Sequence, residues 1–430
     1  MSPSAQEAAT IEEHDPLALA FRRTRDHSLI ICQTLELEDF GLQRAEFVSP
    51  PKWHLAHTTW FFETFLLKPF LDGYRTPEPR YEEMFNSYYN GVGSQYPRHA
   101  RGLLSRPTLQ EVRRYRELVD AGMSKLLAQS AHPERATIEE RCRLGIQHEM
   151  QHQELFFTDL KYSLSINPLA PAPWALPTGG NEIPATSMAW SAFDGGLKEI
   201  GFDGHGFSFD NELPRHRHFL PPFALANRLV TNGEFREFVE DGGYTNPRWW
   251  LADGWATVQE EGWEAPLYWQ REGDSFLEYT LYGLLPLDDA QPVCHVSGYE
   301  ADAYACWSGA RLPTEQEWEV AVRAESSAFI DAGHNLYHPQ PTGHAAVLQQ
   351  LFGDCWQWTS SAYGPYPGFR TAAGAIGEYN GKFMSNQWVL RGGSCVTSRG
   401  HVRPSYRNFF YPRDRWQFSG IRLAHSVPDN

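Results

Sequence analysis

The residues best placed to do chemistry are His148 and His152, inside the octet Gln147-His148-Glu149-Met150-Gln151-His152-Gln153-Glu154. The octet closes a stretch, residues 136–164, whose helical periodicity is interrupted only by Gly145. Positions four apart share one face of a helix, so the two imidazoles point at one place. That is a common way for a helix to offer two nitrogen ligands to a transition metal. Gln151, three residues after His148, leans to the same side as a neutral hydrogen-bonding neighbour. Three chemistries fit. A solvated polar face without metal is disfavoured by the apolar frame of Leu144, Ile146, Leu155, Phe156 and Phe157. His148-Glu149-Met150-Gln151-His152 also fits H-E-x-x-H, the zinc-hydrolase pattern in which Glu149 is the general base. The third is a non-haem iron site that takes its remaining ligand from another helix.

A remaining ligand requires helices that face one another. Leu17, Leu19, Phe21, Leu29, Ile30 and Cys32 predict an amphipathic helix over residues 16–35. A second is expected after Ser49-Pro50-Pro51, with Ser49 as cap and a proline in the first turn. It carries His54 and His57. His57, one turn before Phe61 on a strongly apolar stretch, is expected to face inward as the third imidazole. A loop over residues 69–107 holds Phe85-Asn86-Ser87-Tyr88-Tyr89-Asn90 and a basic patch, Arg98 and Arg101. Loops of that length are usually functional. A third helix over residues 109–129 and the octet helix complete an antiparallel bundle, with any metal held by side chains on facing helices.

At 430 residues two domains are the default. A net charge of −16 argues against nucleic acid or an anionic membrane surface as partner. Residues 1–15 read as a disordered tail with no apolar signal region, and no run is long enough to span a bilayer. Six scattered cysteines without C-x-x-C indicate neither a disulfide framework nor a cysteine zinc site. The expectation is a soluble cytoplasmic protein. Pro168, Pro171, Pro173, Pro177 and Gly179-Gly180 mark residues 166–186 as an extended linker. Beyond it the chain is rich in Gly, Trp and turns, with short helices expected at 232–241, 298–308 and 315–323, the last capped at Thr314.

The second half resembles the formylglycine-generating-enzyme fold, an irregular α+β unit related to C-type lectins. The likeness is carried by Val230-Thr231-Asn232-Gly233-Glu234-Phe235, Pro292-Val293-Cys294-His295-Val296-Ser297 and the run from Ala305-Cys306-Trp307 to Gln316-Glu317-Trp318-Glu319. It continues in Gly353-Asp354-Cys355-Trp356-Gln357-Trp358-Thr359, Leu390-Arg391-Gly392-Gly393-Ser394 and Phe418-Ser419-Gly420-Ile421-Arg422-Leu423. Cys395 has no cysteine close after it, so the copper pair of such oxidases is missing and formylglycine formation is not expected. The first half resembles the DinB-like bundle, with a His on the second helix and H-x-x-x-H-x-E on the last: His57, His148, His152 and Glu154. The fusion of the two is similar to the ergothioneine-pathway sulfoxide synthases and their relatives in ovothiol and selenoneine synthesis.

That resemblance implies a multidomain α and α+β chain: a DinB-like four-helix bundle over 16–165 and a formylglycine-generating-enzyme-like, C-type-lectin-like domain over 187–427. It implies Fe(II) on His57, His148 and His152, and O2 as co-substrate. The acceptor is hercynine (N-α-trimethylhistidine), coupled at imidazole C2 to a thiol such as cysteine or to a selenosugar. By the same likeness Gln151 hydrogen-bonds the hercynine ring, and Asn408, Phe409, Phe410 and Trp416 bind the acceptor, aromatic faces suiting its trimethylammonium group. Tyr89 is the implied proton donor, with Tyr88 beside it, and Arg98 and Arg101 take an anionic group of the donor. Two positions depart from the pattern. Phe47 replaces an aspartate that would meet a donor ammonium, and Gln357 stands where Glu is usual. A zinc hydrolase using Glu149 and a non-catalytic lectin-like binding module are the alternatives.

Overall fold

The computed structural model describes residues 15–177, 186–325, 336–343 and 348–427. The tail before residue 15 and linker residues 178–185 lie outside them. The chain forms two compact units: Met1–Ile166 joined by Ala373–Tyr379, and Asn167–Ala372 with Asn380–Asn430. A short piece of the C-terminal half therefore belongs to the helical unit, which no local pattern foretold.

The helical unit is built on α1 (Pro16–Ile30), α2 (Pro51–Phe62), α3 (Leu109–Leu127) and α4 (Arg135–Leu164). α1 stops at Ile30, short of the predicted 35. α2 runs on through a π turn, Glu63–Leu67, into Lys68–Phe70. The expected cap of α2 is wrong: Pro50 is its N-cap, without a side-chain bond, and Pro51 fills the first turn. Ser49 instead donates its N–H to Asp159 Oδ2 at 2.8 Å, and its hydroxyl accepts from Arg101. α2 packs on both α3 and α4. Gly145 makes the second contact possible, since a Cβ there would lie 2.5 Å from Phe62 Cε1. The rotation of α4 about its axis is fixed by charge. Glu149, fully buried, accepts from Arg25 Nη1 at 2.9 Å, Arg116 Nη2 at 2.5 Å and Ser28 Oγ at 2.6 Å. With Glu149 turned toward α1 and α3, its neighbour His148 is turned toward α2.

The second unit places small sheets around a Trp-rich core. One sheet has the order β3 (Asn408–Phe410), β2 (Trp388–Arg391), β1 (Trp356–Ala362), β4 (Ser419–Gly420), antiparallel except for β4 against β1. Helices α5 (Asn232–Glu240), α7 (Gly298–Trp307) and α8 (Glu315–Ala324) each open with a capping box, Thr231/Glu234, Ser297/Glu300 and Thr314/Glu317; α6 is Ala252–Glu261. Residues 167–177 are not a free spacer. The Trp174 N–H donates to Leu281 O at 3.3 Å, and the Tyr279 hydroxyl donates to Pro171 O at 2.8 Å.

Gln357 proves to be a core strut. Its Oε1 accepts from Trp318 Nε1 and Arg422 Nε, both at 2.7 Å, while its Nε2 donates to Gln350 O at 3.1 Å and Leu351 O at 3.0 Å. A glutamate could not make the last two bonds.

Candidate metal centre

His57 projects from α2 between two rings of its own helix, Trp53 (centroids 4.6 Å apart, planes 9°) and Trp60 (5.5 Å, 17°). Its Nδ1 lies 2.5 Å from Phe85 O, so the proton sits on Nδ1 and Nε2 keeps its lone pair. His148 and His152 come from one face of α4, and the ligand atoms of the three residues all lie within 4.8 Å of one another. His57 Nε2 is 3.2 Å from His148 Nε2. His148 packs against Phe61 at 4.6 Å, and no described group bonds its Nδ1.

Behind His152 a chain of bonds sets the tautomer. Asp159 Oδ2 is 3.1 Å from His54 Nε2, and His54 Nδ1 is 2.9 Å from His152 Nδ1. A carboxylate only accepts, so His54 carries its proton on Nε2 and accepts at Nδ1. His152 must then donate from Nδ1, which leaves its Nε2 as the lone pair available to a ligand site. His54 is thus a support for the triad rather than a member.

The chemistry of this donor set fits a transition-metal dication. Burial, above all other effects, lowers all three imidazole pKa values, His148 to about 3. The rings therefore stay neutral at physiological pH, the form that ligates. Facing lone pairs on His57 and His152 are satisfied together by one cation, whereas protons satisfy them only piecemeal. Among the described residues no carboxylate joins the cluster. Glu149, the general base of the hydrolase alternative, has both oxygens in the Arg25–Arg116–Ser28 network. Burial raises its pKa, but the two guanidiniums prevail and hold it at about 2. The H-E-x-x-H reading has no free base.

The other predicted residues divide by unit. Tyr89 is fully buried among Trp60, Phe61 and Phe65 and stacks on Tyr88 at 4.6 Å, with the two hydroxyls 3.5 Å apart. Arg101, buried, lies with its guanidinium 3.5 Å from the Trp53 ring centroid and donates to Ser49 Oγ at 2.9 Å. Burial first, then Arg98, lowers its pKa to about 9. Arg98 donates to the Phe47 carbonyl, and the Phe47 ring packs on Tyr162 at 5.0 Å. Neither arginine makes an ion pair among the described residues. In the second unit Asn408, Phe409 and Phe410 form β3; Phe409 is stacked on Tyr363 at 4.0 Å, and Phe410 meets Trp416 edge-on at 5.7 Å.

Family models match both units: a sulfatase-modifying factor enzyme 1-like domain over residues 185–427 and the DinB superfamily over residues 20–156. The chain is 33% identical to a hercynine oxygenase of Mycolicibacterium smegmatis, over 96% of this chain and 98% of that one. It is 32% identical to a hercynine oxygenase of Mycobacterium tuberculosis over 92% and 96%. The chain belongs to the hercynine oxygenase family. Ergothioneine biosynthesis protein 1 of Schizosaccharomyces pombe matches as well, at 26% over 51% of this chain and 27% of its own length.

One residue of this hercynine oxygenase family member escaped the sequence reading. Tyr379, in the segment that joins the helical unit, meets the His148 ring edge-on at 5.8 Å, and its hydroxyl donates to Gln151 Oε1. It puts a phenol in ring contact with the triad; Tyr89 is one aromatic layer further back, behind Phe61. Nothing in Gly377-Glu378-Tyr379-Asn380-Gly381 carries a spacing signal, so local pattern could not have found it.

Proposed function

We propose that this protein couples a thiol or selenol donor oxidatively to imidazole C2 of hercynine, with Fe(II) on His57, His148 and His152 and O2 as oxidant. The observation that carries this reading is the all-imidazole triad within 4.8 Å, joined by no carboxylate among the described residues, in a chain of this family. Bound there, Fe(II) supplies the redox chemistry with O2 that neither imidazole nor phenol can perform. A donor set of neutral nitrogens leaves the full dication charge to favour a deprotonated chalcogen donor.

The chain's own residues supply position and protons. Gln151, its Oε1 engaged by Tyr379, presents a side-chain amide beside the triad for the acceptor ring. The Tyr379 hydroxyl is the proton donor in this reading, replacing Tyr89. A phenol keeps its proton until a strong base forms beside it. Arg101, cationic and without a carboxylate partner among the described residues, and Arg98 beside it are assigned the anionic group of the donor. Asn408, Phe410 and Trp416 are assigned the acceptor; the Tyr363 stack covers one face of Phe409 and leaves it the lesser part. Phe47 in place of a carboxylate favours a donor without an ammonium group, such as a selenosugar.

The test is anaerobic Fe(II) reconstitution with hercynine, followed by oxygen exposure with cysteine, γ-glutamylcysteine or a selenosugar as sole donor. Oxygen uptake and product mass identify the donor. Hercynine left unconsumed with all three would remove the proposed reaction.

A further inference from the structure

Tyr379 reaches the triad from far along the chain, and the residue beside it accounts for how it is held. The Glu378 carboxylate accepts the backbone N–H of Asn90 through Oε2 at 3.1 Å and that of Gly91 through Oε1 at 2.7 Å. Those two amides directly follow Tyr88-Tyr89. The approach is tight: a Cβ on Gly91 would lie 3.1 Å from Glu378 Oε1 and 3.4 Å from the Ala375 Cβ, so the carboxylate would have to give by a few tenths of an ångström. The segment itself is a single 3-10 turn, Ala375–Glu378, entered through Gly374 at φ +75°. One such turn has no stability of its own, so its contacts decide where Tyr379 sits. Hydrogen bonds to an ionised acceptor are the stronger kind, and two on one carboxylate also fix direction.

We propose that Glu378 is a positioning residue: by gripping Asn90 and Gly91 it seats the Tyr379 phenol against His148 and Gln151 and locks the Tyr88-Tyr89 loop to the same frame. Glu378 touches no reacting atom. The catalytic half of this inference rests on Tyr379 being the proton donor; the clasp itself does not. Misplacement of a catalytic group by about 1 Å can cost on the order of a hundredfold in rate, so the clasp should be visible in kcat.

The experiment is amide hydrogen exchange and steady-state kinetics on the full chain. In Glu378→Ala, residues 88–93 and 373–380 should exchange about tenfold faster or more, with residues 135–164 unchanged and Glu378→Gln intermediate. Gly91→Ala, which crowds the carboxylate from the other side, should give the same pattern. With Fe(II) bound, kcat of Glu378→Ala should fall about tenfold or more while KM for hercynine stays within about twofold. Glu378→Ala combined with Tyr379→Phe should be no slower than Tyr379→Phe alone. Unchanged exchange at 88–93 in Glu378→Ala overturns the clasp, as does a double variant whose losses multiply. A Tyr379→Phe enzyme with full kcat instead sinks the proton-donor role, and the exchange result still decides the clasp.

Discussion

Asp159 acts on the triad at one remove, through His54. Replacing it with Asn lets the amide donate toward His54 as readily as accept, so the tautomer of His152 is no longer fixed. Loss of such outer partners typically weakens metal binding about 10- to 100-fold. Fe(II) or Co(II) titration of Asp159→Asn against the parent protein measures this directly, and equal affinities would mean the tautomer chain is idle. Tyr379→Phe makes the complementary prediction. It removes one hydroxyl and no ligand, so metal content should stay stoichiometric while the coupling rate drops by roughly 10²–10⁴. Oxygen-uptake kinetics alongside metal analysis separate the two effects.

At the scale of elements, the site depends on how closely α2 and α4 approach and on how α4 is turned. Gly145 lies three residues before His148, and Ala there would press its methyl into the Phe62 ring. Overpacking of this kind typically costs about 1–3 kcal/mol. Because His57 sits on the other side of the same contact, Gly145→Ala should weaken metal binding together with thermal stability. A variant that melts lower but binds metal as before would contradict that coupling. Glu149→Gln addresses rotation. It leaves the buried Arg25 and Arg116 short of their shared counter-charge, and breaking a buried pair costs roughly 3–5 kcal/mol. Denaturant unfolding should show that loss. The same substitution would remove a hydrolase base, but its effect here is on stability, so activity loss alone would not support a hydrolase.

Across the whole molecule, the buried imidazoles make the metal-free protein sensitive to acid. The folded pKa of His148 is about 3, lowered from 6.5 by burial. The unfolded chain therefore binds a proton that the folded chain refuses, and stability falls as pH drops through the interval from 6.5 toward 3. Each pH unit in that interval costs on the order of 1 kcal/mol from this group alone. Glu149 works in a lower range: its pKa is held at about 2 against 4.5, so its contribution is intact above 4.5 and is lost toward 2. Melting of the metal-free protein at pH 7.5 and pH 5.5 should show the first loss without the second. No change between them would place the three rings in contact with water. Among the described residues no helix is long and apolar enough to cross a membrane.

Several features of this protein follow from local rules, and the sequence determined those by itself. Ligand spacing on one helix picked out His148 and His152; the apolar frame of α2 singled out His57 over His54; short helices were expected close to where α5, α7 and α8 lie, the last from its cap at Thr314. Each depends on residues within about a turn of one another, where pattern and geometry are linked by helix periodicity alone. Tertiary structure decided the rest. The Asp159–His54–His152 chain, the diversion of Ser49 from cap to ligand of Arg101, the engagement of Glu149, and the arrival of Tyr379 at His148 all join side chains distant in sequence. Which partner a buried polar group takes is set by every donor and acceptor that packing brings within reach, and that competition has no signature in spacing.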